Sequence, residues 1–420
     1  MQFNSLLKKN IVRNSMWMII LQTFNMIIPL LTIPYITRIL GSTEYGHFSI
    51  ALNWILYFQV IVEYGFELNG ARRVAINSSI ENIQIIFNGI ISSRLLLSLF
   101  TLIALFVVWS ISNLPVSTLL CMLLLFFMVI GTSISLTWVF QGLQQMRFIT
   151  IANVIARLIS LLLIFLFVKS SEHIYRYCFF YSCTFFISGI IGMFICYNKY
   201  GIKFHFARLG QIFDELKDGW FLFLSAAMIC IFGNIGVSIL TYSVDAASIG
   251  AFSAIHKISY VMNVLFIALS KALFPYISAN FAKSRYDGLS KIKKTMLPIV
   301  SIFLFLSIII SLLRNPLVNL LFGEEYTEFA FLIIPFVFQV VFAIINNFLG
   351  IQSLVGNGYQ KEYSSAISIG MVSIVIFNLI LINISGITGA AYASLFAEII
   401  LTLILLYKNF KIYKIANRHV

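Results

Sequence analysis

The sequence predicts an all-α protein that crosses a membrane many times, and three observations predict it. Sixty per cent of its 420 residues are hydrophobic and only 10% are charged, with a mean hydropathy of +0.97. A water-facing surface alone needs about 25% charge, so a soluble globular chain is excluded. Apolar runs of about 20 residues recur between residues 16 and 407, each long enough to cross a hydrocarbon core about 30 Å thick. The short polar segments between these runs and at the two ends of the chain hold most of the Lys and Arg.

Twelve transmembrane helices follow in order along the chain. The first, 15–37, lies behind Lys8, Lys9 and Arg13. It is too long for a signal peptide and lacks a small-residue cleavage site, so it reads as an uncleaved span. Pro29 and Pro34 inside it are kink or hinge candidates. The second span, 46–66, opens on Tyr45-Gly46-His47-Phe48-Ser49 and ends at Glu63. The third and fourth are 83–108 and 117–139. The fifth and sixth, 149–168 and 174–197, complete a first half of residues 1–197. A polar stretch, 198–219, reads as a cytoplasmic linker. The second half, 220–420, continues with 220–244 and with 249–272, which approaches Pro275. Then come 296–313, 329–350, 366–384 and 388–407 before a basic tail.

An even number of spans places both termini on one side. Twenty of the 28 Lys and Arg then share that side, and only Arg38, Lys169, Arg176 and Arg314 face the other. The asymmetry assigns the termini to the cytoplasm. It also accounts for the net charge of +13 as topology and attraction to anionic membrane lipids, with no nucleic-acid partner. A weak internal repeat supports two halves. Tyr45-Gly46-His47-Phe48-Ser49 is echoed by Ile249-Gly250-Ala251-Phe252-Ser253, and Gln141-Gly142 after span four by Asn357-Gly358 after span ten. Six spans per repeat preserve topology, so the halves are parallel repeats, an arrangement that commonly encloses a central cavity.

Four cations fall inside apolar spans: Arg94, Arg157, Lys257 and Lys271. A charge at mid-membrane costs roughly 2.5–3.5 kcal/mol on insertion scales and is rarely idle. At 1.5 Å per helical residue, Lys271 sits at the cytoplasmic end of span eight and Arg157 about 12 Å in from that side. Arg94 lies near the middle, and Lys257 about 12 Å in from the far side. Facing one cavity, they form a cationic ladder for an anionic, phosphate-bearing cargo. The bland alternatives are pairing with Glu63, Glu67 or Glu398 and, for Lys271 and Arg157, snorkelling to a membrane face. Arg72 and Arg73 are candidates for bidentate phosphate capture at the cavity mouth, although they serve the charge rule equally well. Glu398 and Glu63 are the candidates for carrying a coupling proton or ion. Trp54, Tyr57, Tyr64, Trp138 and Tyr242 are the aromatic candidates for stacking on sugar rings.

The five cysteines (Cys121, Cys178, Cys183, Cys196 and Cys230) all lie in apolar runs, with no C-x-x-C pair. They read as small buried hydrophobes. The five histidines are scattered, so no metal site is expected. No phosphate loop, nucleophile elbow or carboxylate pair stands on a soluble segment. The reading is therefore a transporter that needs no cofactor and is not an enzyme.

Several segments resemble the polysaccharide transporter family. They are Thr37-Arg38-Ile39-Leu40-Gly41-x-x-x-Tyr45-Gly46, Glu63-Tyr64-Gly65-Phe66 with Gly70-Ala71-Arg72-Arg73, and Phe140-Gln141-Gly142. The likeness is to flippases of the O-antigen type, within the multidrug/oligosaccharidyl-lipid/polysaccharide exporter superfamily. It implies two six-helix lobes around a V-shaped cavity, with Arg94, Arg157 and Lys257 on its walls. It further implies an undecaprenyl-pyrophosphate-linked oligosaccharide carried across a bacterial cytoplasmic membrane, with an O-antigen polymerase and chain-length regulator as partners. The competing reading within the same architecture is a multidrug and toxin extrusion antiporter. A lumen with more Arg and Lys than acid disfavours the cationic cargo of that class.

Overall fold

A computed structural model describes residues 2–77 and 79–416, with side chains for 13–77 and 79–412. Lys8, Lys9, Lys414 and Arg418, which enter the charge asymmetry, lie outside the residues whose side chains are described. Among the described residues every regular element is helical. Helices suit this environment because they satisfy their backbone hydrogen bonds internally, with no water to do it. Ten helical stretches are long and apolar enough to cross a membrane, and the chain is a multi-pass membrane protein. It divides into two compact units, Met1–Asn234 and Ile235–Val420.

The first unit begins with α1 (Gln2–Glu63). Its non-helical residue is Gly41, at φ 74, rather than Pro29 or Pro34; glycine alone enters that backbone region without penalty. The short helices α2 (Phe66–Ile76) and α5 (Thr137–Gly142) pack on one another. Around them α3 (Ile80–Ile111), α4 (Val116–Ser133), α6 (Met146–Phe167) and α7 (Ile174–Tyr200) form the bundle with α1. The core of the α2–α5 crossing is aromatic: Phe66, Trp138 and Phe140 are almost wholly buried. The start of α8 (Leu209–Leu240) belongs to this unit as well.

In the second unit α12 (Ile333–Asn347) is the central helix. It packs against α9 (Ala246–Lys283), α10 (Arg285–Leu312) and α13 (Gln360–Ala416). The short α11 (Arg314–Phe322) and a 3-10 helix, Glu324–Leu332, lead into α12. A π-helical stretch, Phe348–Val355, follows it. Within α13 the non-helical residues are Ser385 and Gly386, the latter at φ 55.

Several expected loops are helix instead. The linker predicted over 198–219 shrinks to residues 201–208, between Tyr200 and Leu209. The polar segment after span eight is also helical apart from Ser284, which ends α9 and caps α10 by accepting from the Asp287 N–H at 3.0 Å. Hydropathy marks the stretch of chain inside hydrocarbon. A helix does not stop where the hydrocarbon stops, because polar helix formers carry it on into water. At the first sequence echo, Phe48 and Phe252 are both buried, against Tyr177 and Phe336 respectively. At the second the matched glycines differ: Gly142 is the last residue of α5, whereas Gly358 turns the chain at φ 87.

Candidate functional site

The first unit holds a polar cavity of about 340 Å³ inside its helical bundle. Glu63 comes from the last turn of α1, Glu67 from the first turn of α2, and Arg94 from the middle of α3. Asn153 and Arg157, four residues apart, present one face of α6. Thr132, Ser135 and Trp138 come from the broken connection between α4 and α5, and Cys230 and Asn234 from α8.

Arg94 is only 2% exposed, and it is held by backbone. Its Nη1 donates to the carbonyls of Ser135 at 2.9 Å and Thr132 at 3.2 Å. Those oxygens stand where α4 ends, so the guanidinium occupies the negative end of a helix and satisfies carbonyls that have no helical partner. The Phe66 ring lies 5.9 Å away. Arg94 Nε and the indole N–H of Trp138 are both buried without a protein acceptor, and both residues line the cavity. Buried donors are normally satisfied, so an acceptor entering the cavity, water included, has these two donors to meet.

The acids are placed beside this cation. Glu63 and Glu67 both line the cavity and lie within electrostatic reach of Arg94. Glu67 accepts from Gln141 Nε2 at 3.3 Å. The positive-φ residues Tyr64 and Gly65 turn the chain between α1 and α2 and bring the two acids together.

The other sequence-predicted residues lie elsewhere. Arg72 is exposed on α2, and Arg73, half-buried, forms an ion pair with Glu215 of α8 at 2.5 Å; neither lines the cavity. Lys257 and Lys271 belong to α9 of the second unit. Lys257 is half-buried, with its Nζ 5.8 Å from the Tyr260 ring centre, whereas Lys271 is exposed. Glu398, 8% exposed, sits in a hydrogen-bonded knot in that unit. It accepts from Asn346 Nδ2 at 2.7 Å, and the Thr402 hydroxyl donates to Asn346 Oδ1 at 2.7 Å. Of the aromatic candidates, Trp138 lines the cavity, Tyr64 stacks on Phe223, Trp54 and Tyr57 pack together, and Tyr242 is exposed.

Sequence reading gave Glu67 no role of its own and passed over Asn153, Thr132 and Glu215. A signal existed for one of them: Asn153 lies four residues before Arg157, the spacing that puts side chains on one helix face. Among the described residues no cluster of His, Cys, Asp or Glu has the makings of a metal site.

Comparisons with known proteins agree on a family. Residues 11–281 match the family described as polysaccharide biosynthesis protein. A protein of Escherichia coli (strain K12) described as "Putative O-antigen transporter" is 28% identical over 404 residues, covering 95% of this chain and 96% of the relative. Among solved structures, "Lipid II flippase MurJ, inward closed conformation" superposes with a TM-score of 0.73 at 14% identity, over 94% of this chain and 87% of that one. An inward-facing multidrug resistance transporter of the MATE family, MOP superfamily, gives 0.69 at 13% identity, over 94% and 99%. At these identities the structural likeness is one of fold.

Proposed function

The chain belongs to the polysaccharide biosynthesis protein family, and we propose that it is a flippase for a lipid-linked oligosaccharide. The cargo is an undecaprenyl-pyrophosphate-linked repeat unit, moved from the cytoplasmic to the periplasmic leaflet of a bacterial inner membrane. The observation that carries this reading is the pair of guanidiniums, Arg94 and Arg157, in a membrane-buried polar cavity of a chain that aligns end to end with an O-antigen transporter. Guanidinium forks match phosphate oxygens bidentately, and Arg94 Nε and Trp138 Nε1 are donors awaiting such acceptors. Lys257, in the second unit, is a further candidate cation for the phosphate groups. The lipid tail stays in the bilayer throughout.

Twelve crossings are counted by dividing α1 at Gly41 and α13 at Ser385–Gly386. With Arg and Lys concentrated on one side, both termini are cytoplasmic. Glu63 is the coupling group in this scheme. It lines the cavity with Glu67 and Arg94, where a proton taken up as an anion docks on Arg94 offsets the anion's charge. Glu398, hydrogen-bonded in the second unit, is a second protonatable position. The MATE fold supports an antiporter of cationic drugs as the alternative, and the two guanidiniums that line the cavity, Arg94 and Arg157, oppose it.

Deleting the gene in its host tests the reading. Lipid-linked oligosaccharide is expected to accumulate on the cytoplasmic leaflet, with loss of surface polymer. Normal polymer together with new drug sensitivity would transfer the chain to the antiporter class.

A further inference from the structure

The connection into α8 is fastened along its length to α2 and α3. On α3, Gln84, Asn88 and Ser92 are spaced four residues apart and so lie on one face, about 6 Å apart along the axis. Facing them, residues 202–208 carry no regular secondary structure, and alternate N–H groups of a chain that runs extended repeat about every 6.6 Å. The two repeats nearly match. Lys203 N–H donates to Gln84 Oε1 at 2.9 Å, His205 N–H to Asn88 Oδ1 at 3.0 Å, and Ala207 N–H to Ser92 Oγ at 2.9 Å. The Gln84 amide also donates back to the Lys203 carbonyl.

The fastening continues into the helix. Gln211 Nε2 donates to the Ile85 carbonyl at 2.9 Å, Glu215 pairs with Arg73, and Phe223 stacks on Tyr64 at 4.6 Å. Gly65, at φ 73, approaches Leu222 so closely that a Cβ there would collide with it. Two turns beyond Phe223 the same helix reaches Cys230 and Asn234, which wall the polar cavity. Within the seam the Arg73–Glu215 pair is the one between opposite charges, and Arg73 retains 30% side-chain exposure beside the exposed Arg72.

We propose that residues 201–223 form a releasable strap that holds α8 as one wall of the cavity, with Arg73–Glu215 as its catch. A phosphate or pyrophosphate group competes with Glu215 for Arg73. The competing chemistry is favourable because a phosphate offers the guanidinium a bidentate partner of higher charge than a carboxylate. Docking at Arg72 and Arg73 thereby frees α8 and admits the head of the cargo to the cavity. The identity of the competitor rests on the flippase reading; the strap itself does not.

The test is the alkylation rate of Cys230 in the purified full-length protein in detergent, read cysteine by cysteine by mass spectrometry with the buried Cys196 as control. Glu215→Gln is expected to raise Cys230 labelling about fivefold, the factor a part-exposed ion pair supports. Glu215→Asp is expected to stay near the parent rate. Inorganic pyrophosphate is expected to speed Cys230 labelling in the parent and to have no further effect in Arg73→Gln, which lacks the guanidinium the anion would compete for. An unchanged Cys230 rate in Glu215→Gln, or an equal rise at Cys196, overturns the strap. A pyrophosphate response that survives in Arg73→Gln overturns the competition at Arg73. A gene deletion that traps no oligosaccharide would instead sink the flippase reading and leave the Cys230 result standing.

Discussion

Arg94 has two jobs, and they separate by substitution. Its Nη1 satisfies two carbonyls at the end of α4, while the residue lines the cavity and its buried Nε has no protein acceptor. Arg94→Ala is expected to abolish export and also to destabilise the protein by about 2 kcal/mol or more, since charge-assisted bonds to buried carbonyls are lost. Arg94→Lys keeps the charge but not the fork, so it is expected to recover much of the stability and little of the export. Surface polysaccharide measured beside thermal unfolding in detergent checks both halves of that statement. Gly65 is the other position where a single atom decides. Its left-handed backbone costs an L-residue roughly 1–2 kcal/mol, and a Cβ would meet Leu222. Gly65→Ala is therefore expected to lower the unfolding temperature and to speed labelling of Cys230.

At the scale of elements, the ends of the helices carry information that their apolar middles do not. The first turn of α9 is capped by Asp245, whose side chain accepts from Ser248 Oγ at 2.7 Å and from the Ser248 N–H at 3.4 Å. The Ser248 hydroxyl bond is the largest cause holding the Asp245 carboxyl below its ordinary value. A lowered folded-state value means that the cap stabilises at neutral pH. That contribution is complete above the unfolded carboxyl's value near 4 and is lost as the pH falls through the lowered one. Asp245→Ala is expected to destabilise by about 1 kcal/mol. Asp245→Asn is expected to keep the cap while removing its share of the acid sensitivity, as read by unfolding between pH 3 and 7. The strap teaches a similar lesson: an extended segment and a helix face can pair residue for residue when their rises agree.

For the whole molecule, the charge asymmetry makes a definite forecast. Alkaline phosphatase fused after Asn113 is expected to be active, and the same enzyme fused at the C-terminus inactive, because only the first would lie outside the cytoplasm. Export itself is expected to slow when the membrane potential is collapsed. Each negative charge crossing outward gains about 2.3 kcal/mol per 100 mV, and a pyrophosphate carries more than one. If the cargo's charge is instead neutralised by lumen cations throughout and proton exchange at Glu63 supplies the drive, the slowing is produced by collapsing the pH gradient. Measuring export under each ionophore separates the two drives.

Composition and hydropathy alone determined the class of this protein, an all-helical chain crossing a membrane many times, because hydrocarbon accepts little else. They also singled out Arg94 and Arg157, since an intramembrane charge stands out against an apolar run. Motif likeness led to the polysaccharide family without locating a site. Only the tertiary structure decided which charged groups meet. It set Glu67 beside Glu63 through the turn at Tyr64 and Gly65, brought Asn153 and Trp138 to the same cavity, and paired Arg73 with Glu215, 142 residues away. It likewise placed Arg94 and Arg157 in one cavity of the first unit and Lys257 and Lys271 on α9 of the second. Local pattern fixes which face of a helix is polar. Which faces come together depends on packing between distant segments, and a single sequence read for hydropathy does not contain that information.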